Sequence, residues 1–196
     1  MESVNNKYLI ENSIIFKKNN EDYGYFSNMS STFSLSVNDL KIPTIEALYQ
    51  SLKFVDYIDI QKEILVQKSP MAIKYKARKY QKFIRKDWEN IKIEVMEFCL
   101  RIKIYENPKF ANLLLETRNM SIVENSNVDS FWGAKFVENY LIGDNQLGKL
   151  LMKLRDELLN NKFEMAIPSH LELKIFGKEI YSLEKSIIEY EQMTIL

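Results

Sequence analysis

The stretch Pro43-Thr44-Ile45-Glu46-Ala47-Leu48-Tyr49-Gln50-Ser51-Leu52-Lys53-Phe54-Val55 reads as a helix with two different faces. Thr44 supplies a hydroxyl suited to cap the free N–H groups of the first turn, just before the apolar pattern begins. Ile45, Leu48, Leu52 and Val55 recur at the spacing of one buried stripe. Glu46, Gln50 and Lys53 fall on the opposite face at i, i+4 and i+7, so their polar heads project together and are placed to meet one ligand. An ordinary solvated helix face has the same spacing.

Working outward, further helices follow. Ser69-Pro70 opens one that runs to about Tyr80, with proline at the first helical position where its missing N–H costs nothing. Asp87 is a candidate cap for a long helix from Trp88 to about Tyr105, whose core stripe is Trp88, Ile91, Val95, Phe98, Cys99 and Ile102. Asn107-Pro108 ends that helix and begins a shorter one through Leu113, Leu114 and Leu115. Asn145 precedes an amphipathic helix carrying Leu147, Leu150, Leu151, Leu154 and Leu158 on one side. Strand signals are few: Ile14-Ile15-Phe16, a hairpin of residues 33–37 and 40–42 about an Asn38-Asp39 turn, and Met120 to Glu124. Residues 125–145, interrupted by Gly133 and Gly143, read as a long, partly irregular loop of the kind that often carries function. The expectation is a mainly α fold with a small N-terminal β component, of the α+β class. Residues 1–160 would form one compact domain, followed by a C-terminal extension over 161–196 of unassigned role.

Composition supports packed helices. Hydrophobic residues make up 46% of the 196 and aromatics 12%, while glycine (5) and proline (4) are scarce. Lys+Arg and Asp+Glu both total 27, so no net field gathers polyanions, and any nucleic-acid contact must be local. Cys99 is the only cysteine and His170 the only histidine, which excludes an intramolecular disulfide and a Cys/His zinc site. A Ser-His-Asp triad with its histidine in the main body is excluded too. Residues 1–12 are charged and amide-rich where a signal peptide needs an apolar run, and no stretch reaches membrane-helix length. With the lone thiol, this predicts a cytoplasmic protein whose chemistry uses carboxylates, lysine, tyrosine, amides or backbone. No metal or other cofactor is expected.

Two clusters stand out. The first is Glu46, Gln50 and Lys53. The second is Glu124 and Asp129 beside Phe131-Trp132-Gly133, where an aromatic platform can hold a base or sugar while a carboxylate stabilises an oxocarbenium-like centre or activates water. Trp132 is equally readable as a packing anchor. Tyr23, Phe26 and Asn28 read either as a binding lip or as a packed turn. Arg78, Arg85 and Arg101 are phosphate partners or solvated side chains.

Read in order, Asp22-Tyr23-Gly24-Tyr25-Phe26-Ser27-Asn28, Pro43 to Gln50, Lys53-Phe54, Ser69-Pro70-Met71, Arg85-Lys86-Asp87-Trp88, Asp129-Ser130-Phe131-Trp132-Gly133 and Asn145-Gln146-Leu147-Gly148 resemble the NADAR, or YbiA-like, family over residues 13 to about 159. The resemblance implies a mainly helical fold and N-glycosidase activity. The substrate it implies is ADP-ribose on guanine bases, free or in nucleic acid, in some members as antidote to a toxin partner that attaches it. The alternatives are ribosylamine intermediates of riboflavin synthesis, or an NAD or ADP-ribose binding module without turnover. Carried over residue by residue, the pocket is Tyr23, Gly24, Phe26, Ser27, Asn28, Gln50, Trp132, Gly133 and Asn145, with Glu46, Asp129 and Lys53 as the catalytic candidates. Lys53 carries a rival Schiff-base route, provided a desolvated pocket lowers its pKa. Two departures matter: Ala47 stands where many relatives have histidine, and Tyr140 to Asp144 replaces a glycine-rich stretch.

Overall fold

The computed structural model describes residues 6–180, and among them the chain forms six α-helices and several small sheets, an α+β architecture. The helices are α1 (Ile45–Ser51), α2 (Ile58–Leu65), α3 (Pro70–Lys79), α4 (Trp88–Glu106), α5 (Pro108–Leu115) and α6 (Gln146–Leu159). Side-chain caps explain the starts of α1 and α3. The Thr44 hydroxyl accepts from the Ala47 N–H at 3.1 Å, and the Ser69 hydroxyl accepts from the Ala72 N–H at 3.2 Å ahead of Pro70. Asp87 precedes α4 without capping it, because Arg85 holds its carboxylate through two bonds of 2.7 and 2.8 Å.

The strands do not stay at the N-terminus. β1 (Asn6–Leu9) pairs with β7 (Tyr140–Gly143), which pairs in turn with β6 (Lys135–Val137). β2 (Ser13–Phe16) runs parallel to β5 (Ser121–Glu124), with Ser13 opposite Ser121 and Phe16 opposite Glu124. Only β3 (Leu35–Val37) and β4 (Leu40–Ile42) form the local hairpin that the sequence announces, with Asn38 and Asp39 both at positive φ (49° and 62°) as a two-residue turn of this type requires. Much of the expected loop over 125–145 is therefore the hairpin β6–β7. Its first strand escapes a periodicity reading because all three of its residues are exposed and no face alternates.

The core gathers α1, α4, α5 and α6 around β2, with Leu48, Leu52, Phe98, Ile102, Phe110, Leu147, Leu151 and Leu154 all fully buried. Residues 161–180 pack on this core through Leu171, Leu173 and Ile175, while 181–196 lie outside the described residues. α2, which starts after Tyr57 with no side-chain cap to announce it, supplies the clip. Buried Gln61 donates to the Ser51 and Lys174 carbonyl oxygens at 3.2 and 2.8 Å and accepts from the Phe176 N–H at 2.8 Å. The short strands β8 (Lys174–Ile175) and β9 (Lys178–Glu179) follow.

One contact fixes the placement of α6. Gly148 lies so close to β5 that a Cβ there would run into the Ile122 carbonyl oxygen and into the Asn145 amide. Gly148→Ala is expected to lower stability by about 1–3 kcal/mol through overpacking. The expected readout is a lower midpoint in urea with an unchanged slope, and an unmoved midpoint would show that α6 is free to shift.

Candidate functional site

The site forms where the polar side of α1 meets the end of β5 and the turn that follows it. Glu46 and Gln50 are only 4% and 7% exposed, which rules out a solvated face. A buried carboxylate must be partnered, and Glu46 Oε1 accepts from Gln50 Nε2 at 2.9 Å and lies 3.7 Å from Lys74 Nζ. Lys53 follows α1 in a 3-10 turn, tied by its carbonyl oxygen to the Arg85 N–H at 3.0 Å. Its ammonium stands 5.4 Å from the Tyr49 ring centroid and 5.3 Å from that of Trp88. Burial there brings the amine down to about 8, with Lys74 and Lys92 pushing the same way against Glu46.

Glu124 ends β5. Burial pushes its carboxyl up to about 7, with Asp129 and Glu46 adding to the rise and Lys74 opposing it. An acid that is half protonated near neutrality and an amine that is partly neutral therefore share the field of Glu46. Asp129 is half-buried, and its Oδ1 accepts from the Phe131 and Trp132 N–H groups at 3.1 and 2.9 Å, so this carboxylate also shapes the turn that presents both rings. Trp132 stands edge-on to Tyr49 at 5.8 Å and to Phe131 at 5.1 Å, and Lys92 sits 4.4 Å over the Phe131 ring. Trp132 is half-buried, both packed on the core and facing the cluster.

Several residues expected to line the pocket hold its wall from behind. Asn145 is fully buried, donating to the Ile122 carbonyl oxygen at 2.9 Å and accepting from the Glu124 N–H at 3.1 Å. Gly133 is buried where a Cβ would come within 2.6 Å of the Glu124 carbonyl oxygen. Phe26 is fully buried against Phe16, Tyr25 and Phe110. Gly24 packs on the backbone of residues 18 and 19, where a Cβ would clash with both carbonyls. The Ser27 hydroxyl accepts from the Met29 N–H at 3.2 Å. Tyr23, left-handed at φ 60°, is the exposed member of this turn. The turn reaches α1 through the Asn28 carbonyl oxygen, which accepts from the Glu46 N–H at 3.0 Å. Asn28 is 8% exposed, and its amide oxygen has no partner among the described residues. An acceptor in that state is normally matched.

Residue patterns gave no sign of Lys74, which arrives from α3, or of Lys103. Lys103 is fully buried in α4, donates to the Tyr25 carbonyl oxygen at 2.8 Å and is brought by burial to about 7. In the sequence Glu124 reads with Asp129 as a carboxylate of the second cluster but is not among the catalytic candidates carried over from the family. Ala47 is fully buried, so position 47 sends no imidazole toward Glu46, and the residues that stand in place of a glycine-rich stretch form β7. Cys99 is a free buried thiol, and His170 Nε2 meets Glu94 on the surface at 2.8 Å. Among the described residues, no three His, Cys, Asp or Glu side chains gather as a metal-binding group, and no helix is long and apolar enough to cross a membrane. A separate concavity of about 560 Å³ between α4 and α6 contains none of the site residues, and its Glu97, Arg101, Lys153 and Glu157 are paired with one another.

Comparison with known proteins places the chain in a family. The family model described as NADAR domain matches residues 15–159. The N-glycosidase YbiA of Escherichia coli is 34% identical over 157 residues, covering 80% of this chain and 95% of that protein. A riboflavin biosynthesis protein of Vibrio vulnificus is 33% identical over 150 residues, 76% of this chain, although the match spans only 40% of that longer protein. An NMR structure of the Escherichia coli protein YbiA superposes with a TM-score of 0.67 at 35% identity, covering 76% of this chain and 86% of that one.

The raised Glu124 makes a prediction about stability. Its pKa in the fold exceeds its unfolded value, so its contribution is full below the unfolded value of about 4.5 and is lost as pH rises through about 7. Glu124→Gln is expected to flatten the decline in unfolding free energy between about pH 4.5 and 7, measured by urea titration at several pH values. An unchanged profile would mean that Glu124 titrates normally.

Proposed function

Because this chain belongs to the NADAR domain family and is an N-glycosyl hydrolase, we propose that the bond it cleaves joins C1 of the ribose of an ADP-ribosyl group to a guanine base. The observation that carries this reading is one juxtaposition: an amine lowered to about 8 beside the Tyr49 and Trp88 rings and a carboxyl raised to about 7, both in the field of Glu46. The half-buried rings of Phe131 and Trp132 favour a flat base over a bare sugar. The unmatched amide oxygen of Asn28 offers an acceptor to a ligand hydroxyl or amino group.

In this reading the glycosidic nitrogen leaves C1 as positive charge builds on the ribose. Glu46, held by Gln50 and Lys74, stabilises that charge. Glu124 in its protonated form donates a proton to the departing nitrogen. On the Schiff-base route the ring oxygen leaves C1 first, taking a proton, so that C1 becomes an iminium of the glycosidic nitrogen. The neutral amine of Lys53 adds to C1, the base departs with the proton from Glu124, and water hydrolyses the C1–Lys53 Schiff base to the free sugar and the amine. The condition for that route, a desolvated lysine with a lowered pKa, is met by its seat between Tyr49 and Trp88. In the competing direct route, Glu46 or Asp129 delivers water to C1. Such an activity would let the protein act as antidote to a toxin partner that ADP-ribosylates guanine.

A second reading, hydrolysis of a ribosylamine phosphate, is favoured by the resemblance to the Vibrio vulnificus riboflavin biosynthesis protein. Incubating the protein with ADP-ribosylated guanosine and with a ribosylamine phosphate, and following free ADP-ribose or ribose phosphate by chromatography, separates the two. Glu46→Gln is expected to reduce release by about 100 to 10,000-fold while binding survives. Near-wild-type release by that variant would remove Glu46 from the mechanism. Borohydride added during turnover is expected to leave a covalent sugar on Lys53, and its absence would favour direct attack by water. The rate is expected to peak between about pH 7 and 8, since Lys53 must lose a proton and Glu124 must keep one.

A further inference from the structure

Residues 161–180 follow the NADAR domain, whose match ends at residue 159, yet they reach back to the turn that carries Lys53. α1 ends at Ser51, and the carbonyls of a helix's last turn have no partner within the helix. Here the carbonyl oxygens of Ser51 and of Lys53 itself accept from outside groups, Gln61 Nε2 at 3.2 Å and the Arg85 N–H at 3.0 Å. Both of those residues are held in turn by the C-terminal segment. Gln61 is fully buried, and the same amide nitrogen donates to the Lys174 carbonyl oxygen at 2.8 Å while its oxygen accepts from the Phe176 N–H at 2.8 Å. Arg85 is engaged at every nitrogen of its guanidinium: Nε and Nη2 donate to Asp87, and Nη1 donates to the Leu171 carbonyl oxygen at 2.8 Å. Its side chain is only 10% exposed, so it is neither a solvated arginine nor one with a fork free for a phosphate. Leu171, Leu173 and Ile175, buried in the core, anchor the segment.

We propose that residues 171–176 are a brace that sets the position of Lys53, acting through Gln61 and Arg85 as positioning residues. The proposal rests on the reading of Lys53 as a working group of the pocket and adds the part of the chain that keeps it in place. The amine of Lys53 ends a long, flexible stem. Its niche beside the Tyr49 and Trp88 rings, at 5.4 and 5.3 Å, is useful only if the backbone enters at a fixed point. The fold fixes that point: Leu52 and Phe54 are fully buried on either side of Lys53, and the carbonyls at 51 and 53 are tied to Gln61 and Arg85. Covering apolar surface requires Leu171, Leu173 and Ile175 alone. A fully buried glutamine shared between two carbonyls goes further and specifies one placement of the segment against the turn. The charges that face the Lys53 ammonium are Glu46 on α1, Lys74 on α3, and Glu89 and Lys92 on α4, and burial outweighs them all. A turn released from the brace lets water reach the amine, which raises its proton affinity and removes the neutral form that attacks C1.

The test is an NMR titration of the Lys53 side chain in the full, ligand-free chain, so that the brace is read independently of catalysis. Wild-type Lys53 is expected to titrate at about 8. Gln61→Met removes the shared amide at similar size, and Arg85→Gln releases Leu171 while keeping the main-chain bond to Lys53. Each is expected to move the Lys53 titration up by about one pH unit, a roughly tenfold rise in proton affinity. The control is Leu158→Ala in the last turn of α6, which is expected to lower the urea midpoint without moving that titration. On whichever of the two substrates the wild type hydrolyses, both brace variants are expected to lower kcat about tenfold to a hundredfold at neutral pH, with KM within about twofold. Their rate maximum is expected at higher pH, and borohydride trapping on Lys53 is expected to weaken. An unchanged Lys53 titration in either folded variant overturns the brace. An equal shift in Leu158→Ala overturns it as well, since the effect would then be general loosening of the fold. A wild-type Lys53 that titrates as an ordinary lysine has the same consequence. If Gln61→Met does not fold, Arg85→Gln decides alone. Wild type that hydrolyses neither substrate counts against the pocket reading, and the titration still decides the brace.

Discussion

The fully buried amide of Asn145 bridges α6 to β5, and the geometry of the site depends on it. β5 has a strand partner on one side only, β2. On the other side the Asn145 side chain supplies a donor to Ile122 and an acceptor to Glu124, and the Ala134 N–H donates to the Glu124 carbonyl oxygen at 2.8 Å, as a third strand would do. The left-handed backbone of Asn145, at φ 49°, is what aims its amide there, a conformation that asparagine tolerates better than most residues. With the amide in place, α6 can approach closely enough to require Gly148, and the chain returns past Gly133 and Gly143, each buried against neighbouring backbone. Glu124 ends a strand held from both sides, which is how a carboxyl comes to be fixed in a desolvated position.

The helices other than α2 were legible because they carry an apolar stripe, as α4 and α6 do, or a recognisable start at Thr44, Ser69-Pro70 or Asn107-Pro108. The β3–β4 hairpin was legible for the same kind of local reason. The remaining strands were not, because their partners lie far along the chain and β6 is exposed throughout. α2 was missed because it follows Tyr57, with no capping side chain or proline to mark its start. In the site, the i, i+4, i+7 spacing of Glu46, Gln50 and Lys53 indicated a shared face but could not distinguish burial from solvation. That distinction depends on what packs above α1, and the covering groups come from α3, α4 and β5. The family resemblance singled out Asn145, Gly133 and Phe26 but could not separate residues that touch a ligand from residues that hold the wall.

The cluster is also a local conflict within an otherwise consistent fold. Burying Lys53 beside two aromatic rings and Glu124 near two other carboxylates raises the free energy of the folded state, since each would be better solvated in water. Lys103, carrying an amine into the core to hold the Tyr25 carbonyl, adds a further cost of the same kind. Such groups are tolerated when the surrounding packing is strong enough, and here the leucine and phenylalanine core of α1, α4, α5 and α6 provides that packing. Groups with pKa values moved toward neutrality are then available to exchange protons at physiological pH.

The parallel pairing of β2 with β5 brings the first strand of the core against residues about a hundred positions downstream. Parallel, long-range pairing of this kind forms slowly, because chain closure must precede the contacts that reward it. During synthesis on the ribosome, Ile14 and Phe16 would emerge long before Ile122, Val123 and the Asn145 bridge exist, leaving an apolar strand without its partner. The carboxyl of Glu124 would then be solvated and ordinary until the last large helix docks. Assembly of the chemistry is in this way coupled to completion of the fold, and a truncated or stalled chain would carry every residue of α1 yet lack the environment that perturbs them.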